Sequence, residues 1–206
     1  MESNYDHKAL IVFAKNLEKG KVKTRLAKEI GTQKALEIYK ECCIHTMTNT
    51  FDIPARKMLF YSDYIENGDL WGSDDFAKFI QNGNDLGDRM KHAFRVAFDK
   101  SVKAIIIGTD CMELTRDLIN EAFDRLDDHD FVVGPANDGG YYLLGMNSFC
   151  PELFQNMEWS TDTVLEKTLS KIDAKQSVYR LPELIDIDTI EDLEKSMAYG
   201  DLYLNY

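Results

Sequence analysis

The sequence predicts an α/β fold in which a mainly parallel sheet carries helices on both faces. Three observations predict it. Short, continuous apolar runs such as Ala9–Ala14 and Lys103–Gly108 have the length of strands covered on both sides. Between such runs stand longer segments whose apolar residues recur at i, i+3, i+4 and i+7, the spacing of an amphipathic helix. The two patterns alternate through most of the 206 residues, as βαβ units require. No internal repeat, low-complexity tract or linker divides the chain. Residues 1–206 therefore read as one domain, long enough to bury a core without staples.

Ala9–Ala14 is the first strand, and a basic loop follows it. A helix begins at about Gln33, where Ala35, Ile38, Tyr39 and Cys42 form the apolar stripe. Lys57–Tyr61 is the second strand. Residues 62–85, rich in Gly, Asn, Asp and Ser, read as a long irregular connection with a short helix or strand at Asp74–Gln81. The next helix starts near Leu86 and repeats the stripe with Met90, Ala93, Phe94 and Ala97. Lys103–Gly108 is the clearest buried strand. Its helix, Thr115–Leu126, turns Leu118, Ile119, Ala122 and Phe123 inward. Strand Asp130–Gly134, the turn Ala136–Gly140 and strand Tyr141–Met146 come next. A helix near Thr161–Lys171, a short strand near Ser177–Arg180 and a helix from Thr189 complete the pattern.

Composition narrows the function. Apolar content of 44% and charged content of 29% are those of a globular protein. No apolar run approaches the ~20 residues of a membrane helix, so no membrane insertion is expected. Met1–Lys8 lacks the basic-then-apolar order of a secretory signal, which points to the cytoplasm. A net charge of −12 argues against nucleic acid as a partner. Cys42, Cys43, Cys111 and Cys150 form no C-x-x-C pair and read as reduced thiols, and the four scattered histidines suggest no zinc site. One stretch opposes the acidic trend. From Lys15 to Lys28 there are six cations and a single acid, Glu18, an island suited to a small anion.

In open α/β sheets ligands bind at the carboxyl ends of strands, where strand order reverses. The segments just after strands are therefore the candidates. In the first, Arg25 can fork onto two phosphate oxygens while Lys15 and Lys23 act as point charges; a solvated basic loop is an equal reading. Asp110 ends Ile107-Gly-Thr-Asp, where a carboxylate either holds Mg²⁺ or Mn²⁺ or shapes a turn. Asp138-Gly-Gly140 either makes a hairpin turn or brings bare backbone to a ligand, with Tyr141 and Tyr142 following as stacking surfaces. Near the C-terminus Asp188, with Glu191 three residues on, reads first as a helix N-cap. Ser160 and Asp162 read as either site or cap, and Trp159 as packing. Gly83–Met90 opens a helix with Arg89 near its first turn, an end that accepts anions.

These blocks, in order, resemble bacterial nucleotide-diphospho-sugar transferases of the GT-A fold, a family often described as arsenosugar-biosynthesis glycosyltransferase-like. The matching pieces are Phe13-Ala-Lys…Gly-Lys-Val-Lys-Thr-Arg-Leu26, Gln81…Asp-Leu-Gly-Asp-Arg-Met90, Ile107-Gly-Thr-Asp110, Gly134–Gly145, Trp159-Ser-Thr161 and Asp186-Ile-Asp-Thr…Asp192. The resemblance implies a Rossmann-like GT-A fold and a divalent metal, Mg²⁺ or Mn²⁺, shared by Asp110 and Asp188. Catalysis is then expected from Asp110, Asp138, Lys23 and Arg25. Nucleotide or substrate binding is expected from Lys15, Lys23, Arg25, Gln81, Gly87, Asp88, Arg89, Asp138, Gly139, Gly140 and Tyr141. The implied partners are a nucleotide-sugar, or a nucleoside triphosphate if the reaction is nucleotidyl transfer, and a small-molecule acceptor. A non-catalytic nucleotide-binding protein is the alternative of another class. Two departures touch the loops: Asn16–Lys19 stands where the family commonly has prolines, and Met112 replaces a common proline.

Overall fold

A computed structural model describes residues 7–72 and 75–196. The segment 1–6, on which most of the leader reading rests, and Asp74 of the expected 74–81 element lie outside the described residues. Among the described residues seven strands form one sheet in the order β3-β2-β1-β4-β6-β5-β7. They are β1 Lys8–Ala14, β2 Arg56–Tyr61, β3 Phe76–Ile80, β4 Lys103–Ile107, β5 Phe131–Pro135, β6 Tyr141–Met146 and β7 Val178–Arg180. Only β6 runs antiparallel to its neighbours, β4 and β5. The pairs β1–β2, β2–β3, β1–β4 and β5–β7 are all parallel. The mainly parallel α/β sheet expected from the alternation is present.

Period-two alternation sorts the strand side chains onto two faces. Leu10, Val12 and Ala14 of β1 and Ile105 and Ile107 of β4 join a core cluster with Tyr39, Cys43, Ile119, Ala122 and Phe123. Those partners come from α2 (Thr32–Thr50) and α4 (Arg116–Arg125). Ala9, Ile11, Ala104 and Ile106 point the other way, onto Met90, Ala93, Phe94 and Ala97 of α3 (Leu86–Phe98). Each helix buries the stripe that its spacing announced. Remaining elements are α1 (Thr24–Ile30), a 3₁₀ turn at Pro151–Phe154, α5 (Val164–Ser170) and α6 (Ile190–Lys195).

Three local differences from the sequence reading matter for the site. The basic loop is shorter than expected, because α1 begins at Thr24 and carries Arg25 and Lys28. Its seven residues bury only Leu26, so its helical period is hardly legible, and Gly31 at φ 86° separates it from α2. The cap of α6 is Thr189, not Asp188. Thr189 accepts the Asp192 amide while Asp192 accepts back from the Thr189 amide at 2.9 Å, a complete capping box. That frees the Asp188 carboxylate for other work. The N-cap of α5 is Thr163, whose side chain makes no capping hydrogen bond, so neither Ser160 nor Asp162 caps it.

A third apolar cluster, small and separate, joins α1 to α6. Leu26, Ile38, Cys42, Met112, Ile187 and Leu193 pack together. Its consequence is positional. It draws the 184–188 segment against α1, next to the residues that follow β4.

Candidate functional site

The strand order reverses between β1 and β4: the chain goes from β1 outward to β2 and β3, then returns to place β4 on the other side of β1. A cleft of about 650 Å³ opens there, at the carboxyl ends of the strands. Lys15, Lys23, Arg25, Gln81, Arg89, Asp110, Asp138, Gly140, Tyr141 and Asp188 all line it. Gly87, Asp88 and Gly139, also selected from sequence, do not line it. Gly87 lies beneath the ring of Trp159, where an added Cβ would stand 2.4 Å from the indole. Asp88 is half-buried and pairs with Lys91 at 2.7 Å. Gly139 packs behind the cleft against the Asp162 backbone.

Main-chain contacts bring three distant segments to one wall. Ile187 donates its amide to the Asp110 carbonyl at 3.0 Å, and Cys111 bridges Asp186 in antiparallel fashion. Leu184 pairs with Ala136, and Asn137 donates to the Leu184 carbonyl at 3.0 Å. Residues 110–111, 136–138 and 184–188 are thereby laced together, and four aspartates (Asp110, Asp138, Asp186 and Asp188) face one space.

The basic segment meets this wall directly. Lys23, in a left-handed conformation at φ 45° just before α1, has a side chain only 3% exposed. Its ammonium lies 2.5 Å from Asp110 Oδ1, donates to the Ile187 carbonyl, and sits over the Tyr39 ring. Burial alone pushes this ammonium toward the neutral form. Asp110, with help from Asp186, more than reverses that and raises its pKa above the ordinary lysine value. Arg25, exposed in the first turn of α1, donates to Asp188 Oδ2 at 3.0 Å. Two of the three expected phosphate-binding cations, Lys23 and Arg25, are thus paired with the two expected metal-binding acids.

The sequence reading passed over several cleft residues. Asp186 lies in the quoted Asp-Ile-Asp block but was not selected, although alternate residues of an extended segment share a side. Burial, with Asp110 and Asp138 beside it, pushes its carboxyl up to about 7. A carboxyl raised in the fold favours the protonated form there. Its stabilising contribution is complete below about pH 4, the unfolded value, and is lost as pH rises through about 7. Asp186→Asn cannot ionise, so in EDTA its melting temperature should exceed the native one by a margin that widens across that window. A constant margin from pH 4.5 to 8 would refute the crowding of negative charge.

Tyr39 occupied a core position in the helical stripe, yet its hydroxyl reaches the sheet edge. It accepts from the Lys15 amide at 2.7 Å and bonds Thr109 Oγ1 at 2.9 Å, tying the ends of β1 and β4 together. Asn16, a family departure, is buried. Its amide donates to the Tyr64 carbonyl at 2.9 Å, and its Oδ1 accepts from the Asp63 amide at 3.1 Å, pinning the loop after β2. Gln81 donates Nε2 to the Phe60 carbonyl at 3.1 Å. Among the described residues no donor meets its Oε1, which is left for the cleft. Tyr142 is not a stacking surface: it is 3% exposed, fits over the bare face of Gly134 and donates its hydroxyl to the Pro182 carbonyl. Trp159 both packs, on Gly87, and lines the cleft.

Among the described residues no group of three or more His, Cys, Asp or Glu is arranged to hold a metal unaided. Nor is a helix long and apolar enough to cross a membrane found among them. Burial pushes the Cys42, Cys43 and Cys111 thiols up to about 12, so they offer no thiolate. The donors facing the cleft are oxygens, carboxylates among them, a set that suits hard divalent ions.

Sheet order, switch-point cleft and acid-lined wall together define a Rossmann-like protein with the GT-A type of nucleotide-diphospho-sugar transferase fold. The chain belongs to the family described as an uncharacterized protein conserved in bacteria (DUF2064), matched over residues 50–161. It is similar to a protein of Desulfovibrio desulfuricans G20 provisionally described as a nucleotide-diphospho-sugar transferase. The two are 32% identical, with 94% of this chain and 92% of that one covered and a TM-score of 0.82. More distant likenesses show the fold alone. One is 4-diphosphocytidyl-2C-methyl-D-erythritol synthase of Anaerococcus prevotii DSM 20548, at 9% identity, 96% and 97% coverage and TM-score 0.59. Another is Rv0371c of Mycobacterium tuberculosis H37Rv in complex with manganese, at 12% identity, 93% and 98% coverage and TM-score 0.55. A search of curated proteins found no match.

Proposed function

We propose that this chain transfers a glycosyl group from a nucleoside-diphosphate sugar to a small-molecule acceptor, assisted by Mg²⁺ or Mn²⁺. One observation carries the reading: two cation–carboxylate pairs, Lys23 with Asp110 and Arg25 with Asp188, line one switch-point cleft. The name given to the relative that is 32% identical supports the choice of donor. Lys23, Arg25 and Lys15 bind the diphosphate oxygens, with Arg25 forking onto two of them. Asp110 and Asp188 would hold the divalent ion, a carboxylate pair of the kind such ions take alongside substrate phosphates. Bound there, it supplies neutralisation of the charge that builds on the leaving diphosphate.

The bond between the anomeric carbon and the diphosphate oxygen breaks, and the nucleoside diphosphate leaves with the electron pair. The acceptor hydroxyl oxygen forms the new bond, and Asp138 takes its proton. Asp138 is held for this by the Gly140 amide, which donates to its Oδ1 at 2.8 Å. Gln81 and Arg89 face the nucleotide, and Gly140 and Tyr141 form the floor. Gly87, Asp88 and Gly139 serve by shaping α3 and the turn rather than by touching ligand.

The test is a thermal-shift screen of nucleotide-sugars and nucleoside triphosphates with and without Mn²⁺, followed by product analysis. Stabilisation of about 2.7 kcal/mol is expected at a hundredfold excess over Kd, only with metal, and with release of nucleoside diphosphate. Pyrophosphate release from a triphosphate would instead assign nucleotidyl transfer. Binding without turnover of either donor would assign a non-catalytic role.

A further inference from the structure

We infer that the site rests in an internally neutralised state, in which the cations that take phosphate hold the acids that take metal, so that each ligand opens the site for the other. This rests on the roles just proposed for the four residues. The geometry is specific: Lys23 stands 2.5 Å from Asp110, and Arg25 stands 3.0 Å from Asp188. All four line one cleft. Lys15 lines it too, but no acid pairs with it among the described residues.

An arriving diphosphate must draw Lys23 and Arg25 away from their carboxylates. Asp110 and Asp188 then lose their counter-charges in a wall that already holds Asp138 and Asp186. Negative charge left without a partner in a partly desolvated wall is costly, and a divalent cation relieves it. The converse holds for an arriving cation, which releases two positive groups for an anion. Such coupling is reciprocal by thermodynamic necessity. The two pairs contribute unequally. Arg25–Asp188, with side chains 64% and 47% exposed, exchanges partners readily. Lys23, nearly buried, is the stiffer half.

Isothermal titration of the metal-stripped chain with Mn²⁺ alone, and with inorganic pyrophosphate alone in EDTA, reads this directly. Arg25→Gln should bind Mn²⁺ about five- to tenfold more tightly than the native chain, within the usual range of coupling between sites. Asp188→Asn should bind pyrophosphate more tightly by a similar factor, although it removes a proposed metal ligand. Lys15→Gln is the control, since it deletes a cleft cation that holds no acid and should leave Mn²⁺ affinity nearly unchanged. The inference is overturned if Arg25→Gln binds Mn²⁺ no better than the native chain, or if Lys15→Gln strengthens it equally. Neither titration needs turnover, so failure of the transferase assignment would appear separately, as absence of product from the native chain.

Discussion

Asp110→Ala is expected to lower stability by about 2 kcal/mol and to abolish metal-dependent stabilisation by nucleotide. Breaking a fully buried ion pair costs ~3–5 kcal/mol because one charge is left buried alone. The lower figure applies because the Asp110 side chain is 42% exposed while that of Lys23 is 3% exposed. Without Asp110 the ammonium retains the Ile187 carbonyl and the Tyr39 ring, neither of which carries a full negative charge. Urea denaturation of Asp110→Ala, of Lys23→Met and of the double variant checks the cause. If the stranded charge is responsible, the double variant recovers most of what the single aspartate change loses. A double variant as unstable as Asp110→Ala would trace the loss to the turn after β4 instead. Nucleotide stabilisation should stay absent in both, which separates folding from binding.

Gly139→Ala should be the most damaging single-methyl change in the site. Gly139 has φ +84°, where a side chain costs roughly 1–2 kcal/mol on its own account. The added Cβ would also stand 2.0 Å from the Asp162 carbonyl oxygen, a backbone atom that no rotamer change can move aside. The Gly139 carbonyl accepts from the Leu165 amide at 2.9 Å, so pushing the segments apart also breaks the docking of α5. A total near 3 kcal/mol follows from strain plus overpacking. Gly140→Ala is the contrast. Its nearest neighbour would be the Asp138 carboxylate oxygen at 3.0 Å, a side-chain end that can turn. Equal melting temperatures for the two variants would show that the Asp-Gly-Gly turn is not interlocked with residue 162.

Much of the fold was legible because burial repeats. Ala35, Ile38, Tyr39 and Cys42 lie on the buried side of α2, and Met90, Ala93, Phe94 and Ala97 on that of α3, as their spacing requires. Runs such as Lys103–Ile107 are buried at every position because helices cover both faces of the sheet. What escaped was short or irregular. α1 is seven residues long and buries only Leu26, so a basic loop was the natural reading. The capping box at Thr189 was one residue away from the cap inferred at Asp188, and that shift alone turns Asp188 from a structural acid into a cleft acid.

The sequence by itself determined the layered α/β architecture, the strand ends at which ligands gather and the basic stretch that opposes an acidic chain. Those features follow from local periodicity and composition, which are written in neighbouring residues. Only the tertiary structure decided which acid meets which cation. Lys23 and Asp110 are distant in sequence, as are Arg25 and Asp188. The small cluster of Leu26, Ile38, Cys42, Met112, Ile187 and Leu193 closes that distance. Apolar contact between far segments has no local signature, and it is this contact that sets charge against charge in the cleft.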